Sequence, residues 1–406
     1  MPKNPYAAVF GAPGAKGFAA AAFIGRLPIA MAPIGIVAML SQTHGEYWLA
    51  GAVAATFGLT NAFVAPQISR LVDRYGQTVV AAPAAAISAV AFLALLAATN
   101  QRWPVWTLFL FAFLAATMPS LPAMVRARWS ELFRDRPELN TAFAYESAAE
   151  ELIYIAGASL SVGLSVAFFP EAGMLASTLF LIVGTASFLL QRSTEPAVQP
   201  AGYGETGSAL RLVPVQLVTL ALIFVGAMFA ATEVSVIAVT DEIGRPGAAS
   251  LVIGVYAAGS FVVGLVMGAV NRTMPLQRQL AIATFVVAAT ALLPLLGHTV
   301  PTLALTVFLS GLAISPVFIT AFGLIERRVP AFMLTEGITW VVAGIGIGMA
   351  LGAFVTGWVV DVAGGRSGFF VGIAAGAAAL STVLLGHNAL ARGARATPLP
   401  MDQPAE

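Results

Sequence analysis

Read for hydropathy alone, the chain alternates twelve times between apolar stretches of about twenty residues and short polar connections. A helix needs roughly 20 apolar residues to cross a bilayer core. The stretches run over 18–40, 48–69, 78–99, 104–125, 141–168, 172–191, 214–240, 249–270, 279–297, 302–324, 334–360 and 367–386. They predict an all-α, polytopic membrane protein with twelve transmembrane helices. The longest connection, Gln191 to Val213, holds Pro196, Pro200, Gly202, Gly204 and Gly207 and reads as a mobile linker. It divides the chain into a six-helix bundle at 1–191, a linker at 192–213, and a second six-helix bundle with a short tail at 214–406.

Composition narrows the chemistry. The 406 residues are 59% hydrophobic and 10% charged, against about 25% charged in a soluble domain. There is no cysteine, and the three histidines, His44, His298 and His387, fall in predicted connections or the tail. Disulfides and thiolate chemistry are excluded, and no metal or cofactor is expected. No P-loop, dinucleotide turn or catalytic triad is legible, and no polar segment is large enough for a nucleotide-binding domain. The reading is therefore not an enzyme and not an ATP-driven pump. The segment Arg126 to Glu138 mixes signs and reads as a solvated connection with no nucleic-acid role. The first apolar stretch has no obvious cleavage site behind Met1 to Gly17 and is expected to remain.

Charge orients the spans. An even number places both termini on one side. Sixteen of the 20 basic residues fall on that side, three (Arg102, Arg245 and Arg366) on the other, and Arg26 inside a span. Basic residues in short loops stay in the cytoplasm. Both termini are thus expected to be cytoplasmic, in the cell inner (plasma) membrane.

The two halves echo each other at spans n and n+6. Leu71-Val72-Asp73-Arg74 after span two matches Ala269-Val270-Asn271-Arg272 after span eight. Pro119 in span four matches Pro316 in span ten, and Ala144-Tyr145-Glu146 in span five matches Leu334-Thr335-Glu336 in span eleven. Two parallel repeats are a transporter architecture with its site near the midplane.

Ser69-Arg70-Leu71-Val72-Asp73-Arg74-Tyr75-Gly76-Gln77 resembles the G-x-L-x-D-R-x-G-R-K signature of the major facilitator superfamily. Asp73, Arg74 and Gly76 fit, whereas Ser69 replaces the first glycine, and Gln77 and Thr78 replace the basic pair. The resemblance covers essentially the whole chain. It implies two pseudo-symmetric six-helix bundles and a gating role for Asp73, with Arg74 and Gly76 in the same turn. Arg26-Leu27-Pro28, Glu151 before Gly157, and Thr335-Glu336-Gly337-Ile338-Thr339-Trp340 look like a set of bacterial facilitator-type permeases described as efflux-like. The helix-five antiporter signature G-x-x-x-G-P-x-x-G-G is not matched, because Ala158 follows Gly157.

Six ionisable residues interrupt the spans: Arg26, Glu146, Glu150, Glu151, Glu233 and Glu336. Each costs about 2.5–3.5 kcal/mol at a helix centre. Arg26 and Glu151 lie roughly 12 and 15 Å from the same side at 1.5 Å per residue. An intramembrane ion pair of Arg26 with Glu151 or Glu150 is expected. At about 100° per residue, Glu146, Glu150 and Tyr154 fall within an arc of about 80°, with Glu151 at about 140°. Glu146 and Glu336 lie near helix starts, where capping at the cytoplasmic mouth is the plain reading. No span of the second half holds a basic residue to neutralise Glu233. Glu233, followed by Glu151, is the leading candidate for proton coupling. Asn61, Tyr145, Tyr154, Tyr256, Ser260, Thr320 and Trp340 are candidates to line a substrate cavity. Gly344, Gly348 and Gly352 repeat at the spacing that lets helices approach closely, for sliding or for static packing.

The expected function is secondary active transport of a small organic solute by alternating access, with proton-coupled efflux first and uptake by symport or uniport as the alternative. Several carboxylates against one arginine favour a cationic or amphipathic solute. A receptor or scaffold on the same fold is the alternative from another class. The expected partners are the solute, protons and the bilayer, and the expected state is a monomer by analogy.

Overall fold

The structure is a computed structural model and describes residues 5–44, 47–198, 207–245, 247–269 and 274–391. Lys3, Arg392 and Arg395, the Asn271-Arg272 echo, and Pro200, Gly202 and Gly204 of the linker lie outside the described residues. Among those described, every regular element is helical. The first half holds α1 (Pro5–Gly11), α2 (Ala15–His44), α3 (Tyr47–Tyr75), α4 (Gln77–Asn100), α5 (Val105–Ala115), α6 (Leu121–Leu132), α7 (Glu138–Ala167) and α8 (Ala172–Leu189). The second holds α9 (Val213–Glu242), α10 (Ala248–Ala269), α11 (Leu276–Thr290), α12 (Val300–Gly311), α13 (Ile314–Arg328), α14 (Leu334–Ala363), α15 (Gly368–Leu385) and α16 (His387–Ala391).

Eleven helical stretches among the described residues are long and apolar enough to cross a bilayer, and Val105–Ala115 is a shorter twelfth. Spans four and ten, expected as continuous helices, are each built from two. Residues 116–120 part α5 from α6, and residues 312–313 part α12 from α13. Proline accounts for both breaks. It has no N–H to give the preceding turn and fits best where a helix begins, although α2, α3 and α4 carry Pro28, Pro33, Pro66 and Pro83 without a break. Pro119 lies inside the first break, and Pro316 is the third residue of α13. The matching breaks preserve the twofold plan.

The break in span four also corrects a reading of charge. Helix α6 restarts beyond it and carries Arg126, Arg128 and Trp129 into the interior, each 0% exposed. Arg126 and Arg128 therefore belong to a buried helix and not to a solvated connection. Solvent exposure in that segment begins at Glu131, which pairs with Arg134 at 2.7 Å.

In each half the first long helix is the hub: α2 packs on α7 and α8, and α9 packs on α14 and α15. Glycine permits the approach. A Cβ on Gly348 would fall inside contact distance of the Ile223 carbonyl oxygen, and one on Gly352 inside that of Ala227. The glycine stripe of α14 thus seals a contact within one bundle. It does not lie on a surface that slides between bundles.

The bundles meet where α7 packs on α10 and α3 on α14. At the side where both halves begin and end, here the terminal side, one apolar core runs through both, from Phe18, Trp129 and Phe143 to Phe322 and Ile338. At the opposite side each bundle keeps its own, with Ile36, Phe57 and Phe92 in one and Val236, Leu303 and Phe369 in the other. Among the described residues, the apolar core shared by both bundles lies at the terminal side.

The described flanks of the linker are anchored, contrary to a segment free along its length. Arg128 Nη1 donates to Gln191 O at 2.9 Å and to Thr194 Oγ1 at 2.8 Å. The Glu195 carboxylate accepts from Thr78 N at 2.8 Å and from Thr78 Oγ1 at 2.6 Å, in the first turn of α4. At the other flank Ser208 donates to Glu336.

Candidate functional site

Helix α7 positions three carboxylates, and its periodicity sends them to different partners. Glu146 and Glu150 share one face. Arg26 Nη1 lies 2.6 Å from Glu146 Oε2 and 3.9 Å from Glu150 Oε1. The expected partner Glu151 is not on Arg26. Equal depth allowed that pairing, but Glu151 sits about 100° around the helix from Glu150 and faces the other bundle. Glu146 is also no helix cap. It is 0% exposed, eight residues into α7, and accepts from Trp129 Nε1 at 2.6 Å.

Glu150 has a second cation that the span pattern concealed. Arg126 Nη1 and Nη2 donate to its two oxygens at 2.7 and 2.9 Å, the bidentate geometry that arginine favours. The Arg126 guanidinium also lies over the Phe322 ring of α13, 3.9 Å from its centroid. Two arginines and two glutamates thus form a charge-balanced cluster in the first bundle. One signal for Arg126 was available: two carboxylates on one arc of α7 need two cations, and Arg126 stands one residue beyond the predicted end of span four.

Across the seam the chemistry differs. Glu151, 7% exposed, accepts from Ser260 Oγ of α10 at 2.7 Å. Ser260 Oγ lies 2.9 Å from Ser315 Oγ, and Ser315 Oγ donates to the Ser260 carbonyl at 2.7 Å. Ser315 follows directly on the break in span ten, and no sequence pattern marked it. Glu233 of α9 lies within electrostatic range of Glu151, and Tyr154 lies within that range of Glu150, Glu151 and Glu233. Tyr256 joins the group, near Thr232 and Glu233, with its ring 5.2 Å from that of Phe229. Tyr154 is 43% exposed, whereas Tyr256 and Ser260 are buried. No arginine or lysine forms an ion pair with Glu151 or Glu233 among the described residues. Glu151, Tyr154, Glu233, Tyr256 and Ser260 are therefore brought together from both bundles.

At the terminal side Asp73 caps a helix of the opposite bundle. Its Oδ1 accepts from Thr335 N at 3.0 Å and its Oδ2 from Glu336 N at 2.8 Å. The first N–H groups of α14 have no partner within their own helix and sit at the positive end of its dipole. Thr339 Oγ1 donates to Ser69 Oγ at 2.8 Å one turn deeper. Gly76 makes the turn from α3 to α4 at φ +96°, where a side chain would be strained. Arg74 is exposed beside the Tyr75 ring. Glu336, 1% exposed, accepts from Ser208 and from Trp340 Nε1, the latter at 3.3 Å.

The other cavity candidates serve elsewhere. Asn61 Nδ2 donates to Ala116 O at 2.9 Å and so ties α3 to the break in span four. Thr320 donates back to Pro316 O at 2.7 Å within its own helix. Tyr145 packs edge-on to Phe10, with centroids 4.9 Å apart, and Trp340 packs against the shared terminal core. Among the described residues, no three His, Asp or Glu side chains gather closely enough to hold a metal ion.

The sequence profile of the Major Facilitator Superfamily matches residues 18–239 and again 218–398. No curated protein sequence matches the chain. Among solved structures, the human organic anion transporter MFSD10 (TETRAN) superposes with a TM-score of 0.69 at 13% identity, covering 92% of this chain and 99% of that one. A bacterial homologue of the iron transporter ferroportin in an outward-facing state gives 0.68 at 14% identity, covering 91% and 98%. The E. coli fucose:proton symporter FucP gives 0.66 at 16% identity, with the same coverage. At these identities the likeness is one of fold.

Proposed function

The chain belongs to the Major Facilitator Superfamily, and from that premise we propose that it is a proton-coupled secondary transporter of a small organic solute. The two bundles, 1–191 and 214–406, rock about the seam between them, and the segment 192–213 joins them. The observation that carries the reading is the meeting of Glu151 with Ser260 at 2.7 Å across the seam, with Glu233 within electrostatic range. A carboxyl without a cation at this depth is costly as an anion. It can take up and release a proton as access alternates. The arginines that would compensate it are engaged elsewhere, on Glu146 and Glu150. This leaves two acidic groups beside Tyr154 and Tyr256, a lining that suits an organic cation exchanging with protons.

The distribution of basic residues supports a cytoplasmic terminal side in the inner membrane. The seam is then closed towards the cytoplasm, with Asp73 on α14 as the gate contact, and the direction proposed is efflux by proton exchange. The test is reconstitution in liposomes under a pH gradient with panels of organic cations, neutral solutes and anions. Gradient-driven flux of a cation is expected in the wild type and lost in Glu233→Gln and Glu151→Gln. Full coupled transport by both variants would refute the proton role.

A further inference from the structure

Two short helices at the terminal side, α1 and α16, lie outside the six-helix repeats, and α1 touches both bundles. Helix α1 has seven residues, too few to be stable alone in water, so its place is set by what it touches. Gly14, at φ +77°, turns the chain between α1 and α2. Val9 is 0% exposed within the core that both bundles share. Phe10 stands edge-on to Tyr145 of α7 at 4.9 Å and to Trp129 of α6 at 6.1 Å. Tyr6 reaches the other bundle, where its phenol donates to Leu265 O of α10 at 2.7 Å. A helical carbonyl already bonded within its helix keeps a second lone pair for such a donor. Gly268 leaves the room: a Cβ there would stand 2.5 Å from Tyr6 Oη and 2.7 Å from Ala144 Cβ.

We propose that α1 is a bolt across the terminal side of the seam, with Tyr6 as its catch on α10. The inference rests on the reading that the bundles rock. Helices α7 and α10 face each other across the seam, and α1 fills the angle between their terminal ends. It is tied to α2 by only Ala12 to Gly14, so it cannot follow both bundles when they part. Opening requires Tyr6 to leave Leu265. The bolt also touches the charge cluster, because Phe10 and Phe18 pack on Trp129, whose indole holds Glu146 against Arg26. Release of α1 therefore loosens the packing behind the Arg26 pair.

The absence of native cysteine makes the test direct. Leu190 and Leu385, 79% and 88% exposed at the terminal ends of α8 and α15, take spin labels as introduced cysteines. Distances between them are read by pulsed electron paramagnetic resonance in nanodiscs, at acidic and alkaline pH. Tyr6→Phe, which loses one hydrogen bond, is expected to raise the open-to-closed ratio by about 2- to 10-fold. Gly268→Ala should act in the same sense, and deletion of residues 5–11 more strongly. If the deletion does not fold, Tyr6→Phe decides. A wild-type distribution that shifts with pH but is unmoved by Tyr6→Phe and by the deletion overturns the bolt and leaves the transport reading intact. A distribution that never shifts, in any variant, overturns both.

Discussion

Glu146 and Glu150 are each met by an arginine, whereas Glu151, on the next residue of the same helix, is met by a serine, and Glu233 across the seam has no arginine or lysine paired to it among the described residues. Both groups are charges at membrane depth, but their surroundings do opposite work. The arginine cluster lies inside one bundle and is neutral as a unit, so it can stay ionised through a rocking cycle. The seam carboxyls lie between bundles, and under the proposed rocking their environment would change with each movement. A charge that is to hold a fold belongs in the first setting, and one that is to carry a proton belongs in the second.

The largest effects should follow from breaking the cluster. Removing one partner of a buried pair strands the other charge and typically costs about 3–5 kcal/mol. Arg26→Met and Glu146→Gln should each lower the melting temperature in detergent steeply. Arg26→Met combined with Glu146→Met should be milder than either alone, because no charge is stranded. A double variant worse than both singles would show that the cluster does more than balance charge.

Next in size are the seam carboxyls, and here stability and function should separate. In Glu151→Gln the amide oxygen still accepts from Ser260, so the stability change should stay near the roughly 1 kcal/mol of one hydrogen bond. Glu233→Gln should be similarly mild. Both should nevertheless lose at least tenfold in accumulation driven by a pH gradient. A melting loss as large as that of Glu146→Gln would place Glu151 with the structural charges and erase the distinction.

How much of this contrast was legible in the chain depended on which physical quantity had to be read. Span length and hydropathy depend on composition, and the twelve spans with their n and n+6 echo follow from them. The isolation of Glu233 is also a matter of composition, since the second half's spans contain no base. The partner of Arg26 depends on angle. Depth placed Glu151 at the right level, but a step of about 100° separates it from Glu150 and turns it to the other bundle. The burial of Arg126 and Arg128 depends on a backbone break that hydropathy averages over. Tyr145, Trp340 and Asn61 were chosen for being polar or aromatic on lining helices, and that chemistry cannot tell a cavity wall from a core. Helix α1 is too short to leave a periodic signal, and its position is set by contacts with α7 and α10 that are distant in sequence.

Asp73 provides an intermediate test, because its carboxylate joins bundles without lying at the seam's centre. Asp73→Ala removes the cap from α14, a loss of about 0.5–2 kcal/mol, all of it from the terminal-side-closed state. The open-to-closed ratio should rise by about 2- to 30-fold, read as accessibility of a cysteine introduced at Thr339, one turn inside the gate. Asp73→Asn keeps an acceptor but loses the charge that favours a helix N-terminus, and should fall between. Unchanged accessibility in Asp73→Ala would mean that burial in the shared apolar core alone holds this side shut.

The smallest effect should come from Ser260, and it is the finest probe of the contrast. Ser260→Ala removes the hydroxyl that Glu151 accepts from and leaves every charge in place. If Glu151 is a settled structural anion, its loss of a donor in a buried site should cost the larger penalty of an unsatisfied charged group, about 1–3 kcal/mol or more. If Glu151 exchanges a proton with water reaching the seam, water can replace the hydroxyl, and the change in melting should stay below about 1 kcal/mol. Transport should then persist with a displaced pH profile, because the hydroxyl no longer sets the balance between the two protonation states. Ser260→Thr, which restores a donor on α10, should bring the profile back towards the wild type. A melting loss as deep as that of the arginine cluster, with no movement of the profile, would mean that the hydroxyl props up the interface and has no part in the proton's path.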